Sequence, residues 1–164
     1  MKKAPKGPIK DGREFPSCPR VGVGGVVIDH GRVLLVRRGQ PPLQGEWSIP
    51  GGLVEVGESL KGAVEREIRE ETDLRVRAVN VLGVFERVIR TTKPPQEGKV
   101  RYHYVLIDFL CRLRRPARPS CRRDDPRALT DVTDARWVGE SELDAVRISA
   151  AARNVIRQAL HSGD

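Results

Sequence analysis

The first third of the chain alternates apolar, β-branched runs with clusters of turn residues. Residues 21–28, VGVGGVVI, are apolar or small throughout and predict a buried strand. The turn DHG follows, and RVLLVRR at 32–38 predicts a strand that returns beside the first. A short third strand is expected in EWSIP at 46–50, ending at the glycine pair 51–52. A loop then leads to the next element.

Longer strands are expected in the second half of the chain. Residues 74–90 alternate apolar and polar positions over much of their length and predict a long strand. Residues 99–113 predict a second long strand, which we expect to be its antiparallel partner. DARWVG at 134–139 predicts a short strand, and ESELDAV at 140–146 predicts a short helix.

Two further segments carry the signals of helices. Ser59 is a favourable N-cap, and the helix that it begins is predicted over Leu60–Thr72. Ser149 caps a final amphipathic helix, whose apolar face consists of Ala152, Val155, Ile156 and Leu160. Strands mixed with two or three helices predict an α/β fold, a sandwich with helices on both faces of the sheet.

The formal charge of +8 is concentrated in two segments of the 164 residues. Residues 1–20 carry a net charge of +4 and residues 112–127 a net charge of +5, so the rest of the chain is close to neutral. The tail and the Pro/Arg-rich loop are expected to be solvated, and binding of nucleic acid is the less favoured alternative. Residues 1–20 are predicted to be a mobile or loosely docked basic extension, and residues 21–164 a single domain.

The cellular context follows from the cysteines and the apolar runs. Three cysteines, Cys18, Cys111 and Cys121, are an odd number without a metal-ligand spacing, which favours a reduced, cytoplasmic protein. No apolar run approaches the ~20 residues of a membrane span, so no membrane partner is expected. The basic N-terminus lacks an apolar stretch after it and does not predict a secretory signal.

The predicted helix carries an unusual density of acids in REIREETDL at 66–74. With about 100° of rotation per residue, Glu70 and Glu71 lie about 60° and 40° to either side of Glu67, so the three carboxylates share one side of the helix. That side overlaps the apolar stripe, where a buried carboxylate is costly unless something compensates its charge. A divalent cation would compensate it. The alternative is a solvated acidic face that pairs with Arg66 and Arg69.

The residues upstream distinguish between these two interpretations. Gly52 is followed by five residues and Glu58, and Glu58 is followed by seven residues and the run that begins at Arg66. This spacing resembles the Nudix box: Gly, five residues, Glu, seven residues, then Arg-Glu-apolar-x-Glu-Glu-x-Gly-apolar. Asp73 alone departs from it, since it stands where the family has its last glycine.

The resemblance extends beyond the box, over about residues 20–160. GEWSIPGG at 45–52 and DARWVGESEL at 134–143 are similar to segments that precede and follow the box in this family. The resemblance implies a Nudix-type α/β/α sandwich with a mixed β-sheet. Because Asp adopts the left-handed conformation more readily than most residues, Asp73 is expected to end the helix with slight strain.

The resemblance also implies an activity, the hydrolysis of a nucleoside diphosphate linked to another moiety at its pyrophosphate. The implied metal ligands for Mg²⁺ or Mn²⁺ are the Gly51 carbonyl or one next to it and the carboxylates of Glu58, Glu67, Glu70 and Glu71. The implied catalytic residues are Arg66, Glu67, Glu70 and Glu71, with Arg66 orienting a glutamate rather than contacting substrate. Electrostatics supports this view independently. Carboxylates alone would repel a pyrophosphate, whereas a bound metal ion makes the local charge positive.

Three functions remain open from the sequence. The general appearance of the chain resembles the ADP-ribose-pyrophosphatase-like branch, which favours ADP-ribose or a related nucleotide sugar as substrate. A house-cleaning nucleoside triphosphate pyrophosphohydrolase of the oxidised dNTP type is one alternative. A non-catalytic Nudix-fold nucleotide or nucleic-acid binding protein is another, although such members usually lose box carboxylates. Residues 88–92, VIRTT, lack both the proline that marks one type of ADP-ribose pyrophosphatase and the tyrosine that marks dinucleoside polyphosphate hydrolases.

The general base and the contacts to the nucleoside are left open. The resemblance implies either a box glutamate or an acid on a distant loop as the base. The loop candidates are Glu86, Glu97, Asp124, Asp125, Asp131 and Glu140. Trp47 is expected to pack in the core rather than stack on a base, and His103 and Tyr104 are expected to pack on their strand rather than contact a nucleoside. The expected partner is a small-molecule nucleotide. Many members of the family dimerise, so a homodimer is possible.

Overall fold

The computed structural model describes residues 13–114 and 125–161. Within these ranges the elements are β1 (Arg20–Asp29), β2 (Arg32–Arg38), β3 (Trp47–Ser48), β4 (Gly51–Leu53), α1 (Leu60–Thr72), β5 (Val76–Arg90), β6 (Val100–Leu113), β7 (Val132–Gly139), a 3₁₀ helix (Glu140–Glu142) and α2 (Ala150–His161). The predicted strands other than the one over 46–50 and both main helices are confirmed. The short helix predicted over 140–146 forms only the 3₁₀ turn.

The seven strands form one mixed sheet in which β1 and β2 are central. β1 pairs in parallel with β6 from Arg20 to Val27 and antiparallel with β4, and β6 pairs antiparallel with β5 as predicted. β2 lies between β3 and β7, antiparallel to both. β1 and β2 pair only next to their turn, at Ile28 and Asp29. The sheet therefore divides into two groups of strands, one of β1, β4, β5 and β6 and the other of β2, β3 and β7, which diverge away from this turn.

The short strand predicted over 46–50 is instead divided between the two groups of strands. β3 pairs with β2, whereas β4 pairs with β1. Pro50 separates the two strands and has no N–H with which to continue a ladder. Its carbonyl accepts a hydrogen bond from the Gly25 N–H at 2.9 Å, which fixes the crossing to β1. The crossing carries Gly51 and Gly52 to the edge of the strands beside α1.

The two helices pack on opposite faces of the sheet. α1 buries Ala63, Val64 and Ile68 in a cluster with Val23, Val27, Ile107 and Phe109. α2 buries Val155, Ile156 and Ala159 in a second cluster with Val26, Val33 and Leu35. Because side chains alternate along a strand, Val26 and Val27 point to opposite faces of β1. The architecture is therefore the predicted α/β/α sandwich.

Both ends of α1 have the predicted caps. The Ser59 hydroxyl accepts a hydrogen bond from the Gly62 N–H at 3.1 Å. Asp73 has φ of 61° and lies in the left-handed region, and its N–H donates to the Arg69 carbonyl at 2.9 Å. The helix therefore ends in the geometry that usually selects glycine.

The last turn of α1 is also covered by a segment from far along the chain. The Arg127 and Leu129 amides donate to the carbonyls of Thr72 and Glu71 at 3.0 and 2.9 Å. Helix carbonyls that lack an intrahelical partner are thereby satisfied. This docking holds residues 127–131 beside the acidic end of the helix.

Substitution of Asp73 should reveal the strain at this helix end. We expect Asp73→Ala to lower the free energy of unfolding by about 1 kcal/mol, because alanine tolerates the left-handed region poorly. Asp73→Gly should not lower it. Urea denaturation of the three proteins measures the difference, and an alanine variant as stable as the glycine variant would contradict the assignment.

Part of the predicted N-terminal extension is docked. The Phe15 N–H donates to the Arg101 carbonyl at 2.8 Å, and the Glu14 carboxylate accepts hydrogen bonds from the Tyr102 hydroxyl at 2.6 Å and from the Arg101 guanidinium at 2.7 Å. Residues 1–12 and most of the Arg-rich loop, 115–124, lie outside the described residues, so the domain division and the predictions for both basic segments stay predictions. None of the described helices has the length and apolar character needed to cross a bilayer.

Candidate active site

A cavity of about 400 Å³ opens between the diverging groups of strands, next to the C-terminal half of α1. Its acidic residues are Glu55, Glu67, Glu70, Glu71, Asp108 and Asp131, and its basic residues are Arg13, Arg38 and Arg87. Three of the predicted carboxylates therefore line one cavity, with the glycine pair 51–52 beside them. Glu58, the fourth, is not among the residues that line it.

Glu71 is the most buried of the predicted carboxylates, with only 8% of its surface exposed. Its carboxylate accepts a hydrogen bond from the Gly51 N–H at 2.9 Å. Burial raises the pKa of Glu71 to about 8, against the opposing effect of this hydrogen bond. Any positive charge that enters the cavity would stabilise the ionised form of this carboxylate.

Glu67 stands directly over the backbone of Gly52. A Cβ atom on Gly52 would lie 2.5 Å from each of the two Glu67 carboxylate oxygens, so only glycine leaves room for them. Burial raises the pKa of Glu67, and the hydrogen bond from Arg66 opposes that rise. The glycine pair thus accommodates two carboxylates. The buried Glu71 accepts a hydrogen bond from the Gly51 N–H, and the partly buried Glu67 fits because Gly52 has no side chain.

Gly52→Ala tests this steric arrangement. The new methyl group should displace the Glu67 carboxylate and lower kcat/KM by about 100-fold, the scale expected for misplacing a reacting group by about 1 Å. Stability should change little, because the clash is with the mobile end of a side chain. Gly62→Ala on α1, outside the cavity, is the matched control and should keep its activity. Equal activities of the two variants would contradict the arrangement.

Arg66 connects the acids without lining the cavity. Its guanidinium donates to both oxygens of Glu58, at 2.8 and 2.9 Å, to Glu67 at 2.8 Å and to Glu70 at 3.2 Å, and also to the Leu53 carbonyl at 3.1 Å. The hydrogen bonds from Arg66 lower the pKa of Glu58. These contacts suit a residue that orients carboxylates, and the catalytic role of Arg66 stays a prediction.

The donor set suits a hard divalent cation. Carboxylate oxygens are the preferred protein ligands of Mg²⁺, and three of them line the cavity with backbone groups of residues 51–52 adjacent. In the described part of the chain, no three His, Cys, Asp or Glu side chains already form a ligand cluster. Glu58, Glu67 and Glu70 are turned towards Arg66, and Glu71 is turned towards Gly51. Gly51 contacts Glu71 through its amide N–H, whereas its carbonyl, or one next to it, is the predicted metal ligand.

The structure separates the candidates for the general base. Among the described loop candidates, Asp131 is the one that lines the cavity. The Glu86 carboxylate lies 3.0 Å from Nε2 of His103, and the Glu140 carboxylate lies 3.5 Å from Nε2 of His161. Both glutamates therefore belong to carboxylate–histidine pairs at the surface. Glu97 and Asp125 are exposed away from the cavity, and Asp124 lies outside the described residues.

The predictions for the aromatic residues have different outcomes. Trp47 packs on the α2 cluster, with the Arg136 guanidinium 4.3 Å from its ring centroid, so the packing interpretation is confirmed. His103 sits beside Glu86. Tyr104 is buried and stacked at 6.1 Å on Tyr102, but it also lines the cavity, which leaves both of its interpretations in place.

Five charged residues of the cavity were not predicted, namely Arg13, Arg38, Glu55, Arg87 and Asp108. Arg38 is partly buried and donates to the Pro42 carbonyl at 2.8 Å, Arg87 reaches the cavity from β5, and Asp108 reaches it from β6. The sequence does hold a signal for Asp108, because it is the single charged residue in the apolar run VLIDFLC at 105–111. The arginines carry no comparable signal among the many arginines of the chain.

Known proteins share this fold and the sequence pattern. An ADP-ribose pyrophosphatase of Methanocaldococcus jannaschii is 42% identical over 92 residues, which is 56% of this chain and 50% of that protein. A putative 8-oxo-dGTP diphosphatase of Mycobacterium tuberculosis is 40% identical over 58 residues, 35% of this chain and 41% of that protein. The chain thus spans about half the length of these curated relatives.

A solved structure matches over a larger share of the chain. The crystal structure of a MutT Nudix hydrolase from Burkholderia pseudomallei superposes with a TM-score of 0.67 at 26% identity, covering 87% of this chain and 98% of that one. The sequence model of the NUDIX domain family matches residues 19–159, which is most of the chain. The chain belongs to the Nudix family.

Proposed function

We propose that this chain is a metal-dependent pyrophosphohydrolase that cleaves a nucleoside diphosphate linked to another moiety, with ADP-ribose or a related nucleotide sugar as substrate. The observation that carries the proposal is the placement of Glu67, Glu70 and Glu71 on one cavity, beside the backbone of residues 51–52. A non-catalytic binding protein would not need these acids in this arrangement.

Mg²⁺ or Mn²⁺ is the proposed cofactor, held by the predicted ligands Gly51, Glu58, Glu67, Glu70 and Glu71. When bound, such an ion neutralises phosphate charge and lowers the pKa of water. Arg66 keeps the carboxylates of Glu58 and Glu67 in position through its hydrogen bonds. The arginines that line the cavity together with these acids, Arg13, Arg38 and Arg87, attract an anionic substrate.

The size of the cavity supports a small-molecule substrate, since about 400 Å³ lies within the usual range for ligand pockets. The similarity to an ADP-ribose pyrophosphatase favours a nucleotide sugar. The similarity to a putative 8-oxo-dGTP diphosphatase supports a second candidate, hydrolysis of an oxidised deoxynucleoside triphosphate.

A substrate panel distinguishes these functions. The purified protein is incubated with ADP-ribose, ADP-glucose, 8-oxo-dGTP and dGTP, each with Mg²⁺ and with Mn²⁺, and the products are separated by chromatography. We expect ADP-ribose and water to give AMP and ribose 5-phosphate in the presence of metal. Preference for 8-oxo-dGTP would select the second candidate, and inertness on every substrate would reject the hydrolase.

A further inference from the structure

Asp108 is a buried acid that none of the proposed chemistry uses. It lies in the middle of β6 with 8% of its surface exposed, and it lines the cavity. Among the described residues, no group donates a hydrogen bond to its carboxylate. Buried carboxylates are normally hydrogen-bonded, because an unsatisfied one loses its hydration without replacement. Such a group at a cavity wall is suited to accept hydrogen bonds from a ligand.

Glycines on both neighbouring strands shape the surroundings of Asp108. Its partner on β1 is Gly24, where a Cβ atom would collide with the Asp108 carboxylate and lie 2.7 Å from the Ile49 side chain. Its partner on β5 is Gly83, where a Cβ atom would lie 2.6 Å from the ring of Phe85. One glycine therefore leaves space for the carboxylate, and the other leaves space for a phenyl ring beside it.

The charges around Asp108 leave it without a close counter-ion. Burial raises its pKa to about 6, and the opposing influence comes from Arg87, which lies on the same cavity wall. The two side chains do not form an ion pair among the described contacts. Asp108 and Arg87 are therefore a separated pair that a polar ligand could bridge.

The register of the strands places Asp108 away from the metal-binding acids. Asp108 pairs with Gly24, Gly24 pairs with Gly51, and the Gly51 amide contacts Glu71. Two strand spacings of about 4.8 Å separate the backbone of Asp108 from that of Gly51, and no hydrogen bond joins Asp108 to Glu71 or Gly51 in the described part of the chain. This separation is a suitable distance for contacting another part of a substrate whose pyrophosphate lies at the acids.

We propose that Asp108, with Phe85 and Arg87, forms a recognition subsite for a substrate moiety attached to the pyrophosphate, in which the carboxylate accepts hydrogen bonds from O–H or N–H donors. The donors come from the terminal ribose or from the nucleoside half of the substrate. A site that is built to accept such donors discriminates strongly, because a ligand without them leaves the buried carboxylate unsatisfied. The subsite rests on the proposed function for its position relative to the pyrophosphate.

Asp108→Asn and Asp108→Leu test the subsite by calorimetric binding of AMP and of ribose 5-phosphate, which needs no turnover. Asp134→Asn, an exposed acid on β7 outside the cavity, is the matched control. We expect both Asp108 variants to bind one of the two half-ligands about 10- to 100-fold more weakly, and the affected half identifies the source of the donors. The melting temperature should be retained or raised, since neither variant buries an unpaired charge.

Hydrolysis kinetics give a second readout. KM for the preferred substrate should rise in the Asp108 variants by a similar factor, while kcat falls less. Wild-type affinity for both half-ligands in folded Asp108→Leu would overturn the subsite. A wild-type protein that binds a half-ligand through Asp108 but hydrolyses no nucleotide would reject the proposed function and keep the subsite.

Discussion

Glu71→Gln should lower kcat for pyrophosphate hydrolysis by on the order of 1000-fold. Glu71 is buried at the cavity and is held by the Gly51 N–H. The glutamine oxygen can still accept that hydrogen bond, so the local fold should persist. The charge that binds a cation is lost, however, and the negative charge of the phosphates is no longer compensated. Steady-state kinetics with saturating Mg²⁺ and Mn²⁺ measure the effect.

Glu65→Gln is the matched control for this prediction. Glu65 lies on the same helix, is partly buried, and accepts a hydrogen bond from the Ala78 N–H at 2.9 Å, but it does not line the cavity. The same chemical change there should leave kcat within about 2-fold, as for most changes outside a site. Equal loss in the two variants would show that a general effect on the helix, and not the cavity charge, controls activity.

Arg66→Ala should be the second most damaging single change. It removes the hydrogen bonds that hold Glu58, Glu67 and Glu70, so the carboxylates should separate by mutual repulsion. Loss of groups that orient metal ligands typically weakens metal binding by about 10- to 100-fold. We therefore expect the Mg²⁺ concentration for half-maximal activity to rise by this factor, together with a fall in kcat. A titration of activity against Mg²⁺ separates the two effects.

Two further variants define what Arg66 does. Arg66→Lys keeps the charge but cannot donate to both Glu58 oxygens in the planar geometry of a guanidinium, so it should recover little. Arg69→Ala removes an exposed arginine from the same helix and should leave the Mg²⁺ dependence unchanged. A Mg²⁺ dependence in Arg66→Ala that matches that of Arg69→Ala would contradict the positioning role.

Local sequence signals predicted the helix that carries the acids. Three local features mark this helix: the periodicity of residues 60–72, the capping hydroxyl of Ser59 and the left-handed preference of Asp73. Each depends only on residues nearby in the sequence, so it can be recognised without knowing the fold. The spacing from Gly52 to Glu71 likewise placed three carboxylates together. These are the features that the structure reproduces most closely.

The remaining features depend on contacts between distant residues. The parallel pairing of β1 with β6 joins Arg20 to Tyr104, and the covering of α1 joins Thr72 to Arg127. Neither pairing leaves a periodic signal in the sequence. Asp108 is visible in the sequence as a lone charge in an apolar run, but its place at the cavity depends on the register of β6, which decides which side chains face the cavity.

The most direct test of the account is whether the acids of α1 bind the metal on which activity depends. Mn²⁺ binding is measured by electron paramagnetic resonance in the wild-type protein and in a Glu67→Gln, Glu71→Gln double variant, alongside hydrolysis after chelation and metal restoration. We predict that the double variant binds Mn²⁺ at least ~10-fold more weakly, and that wild-type hydrolysis is lost on chelation and returns with Mn²⁺ occupancy. Equal Mn²⁺ binding by the two proteins, or hydrolysis that persists in excess chelator, would contradict it.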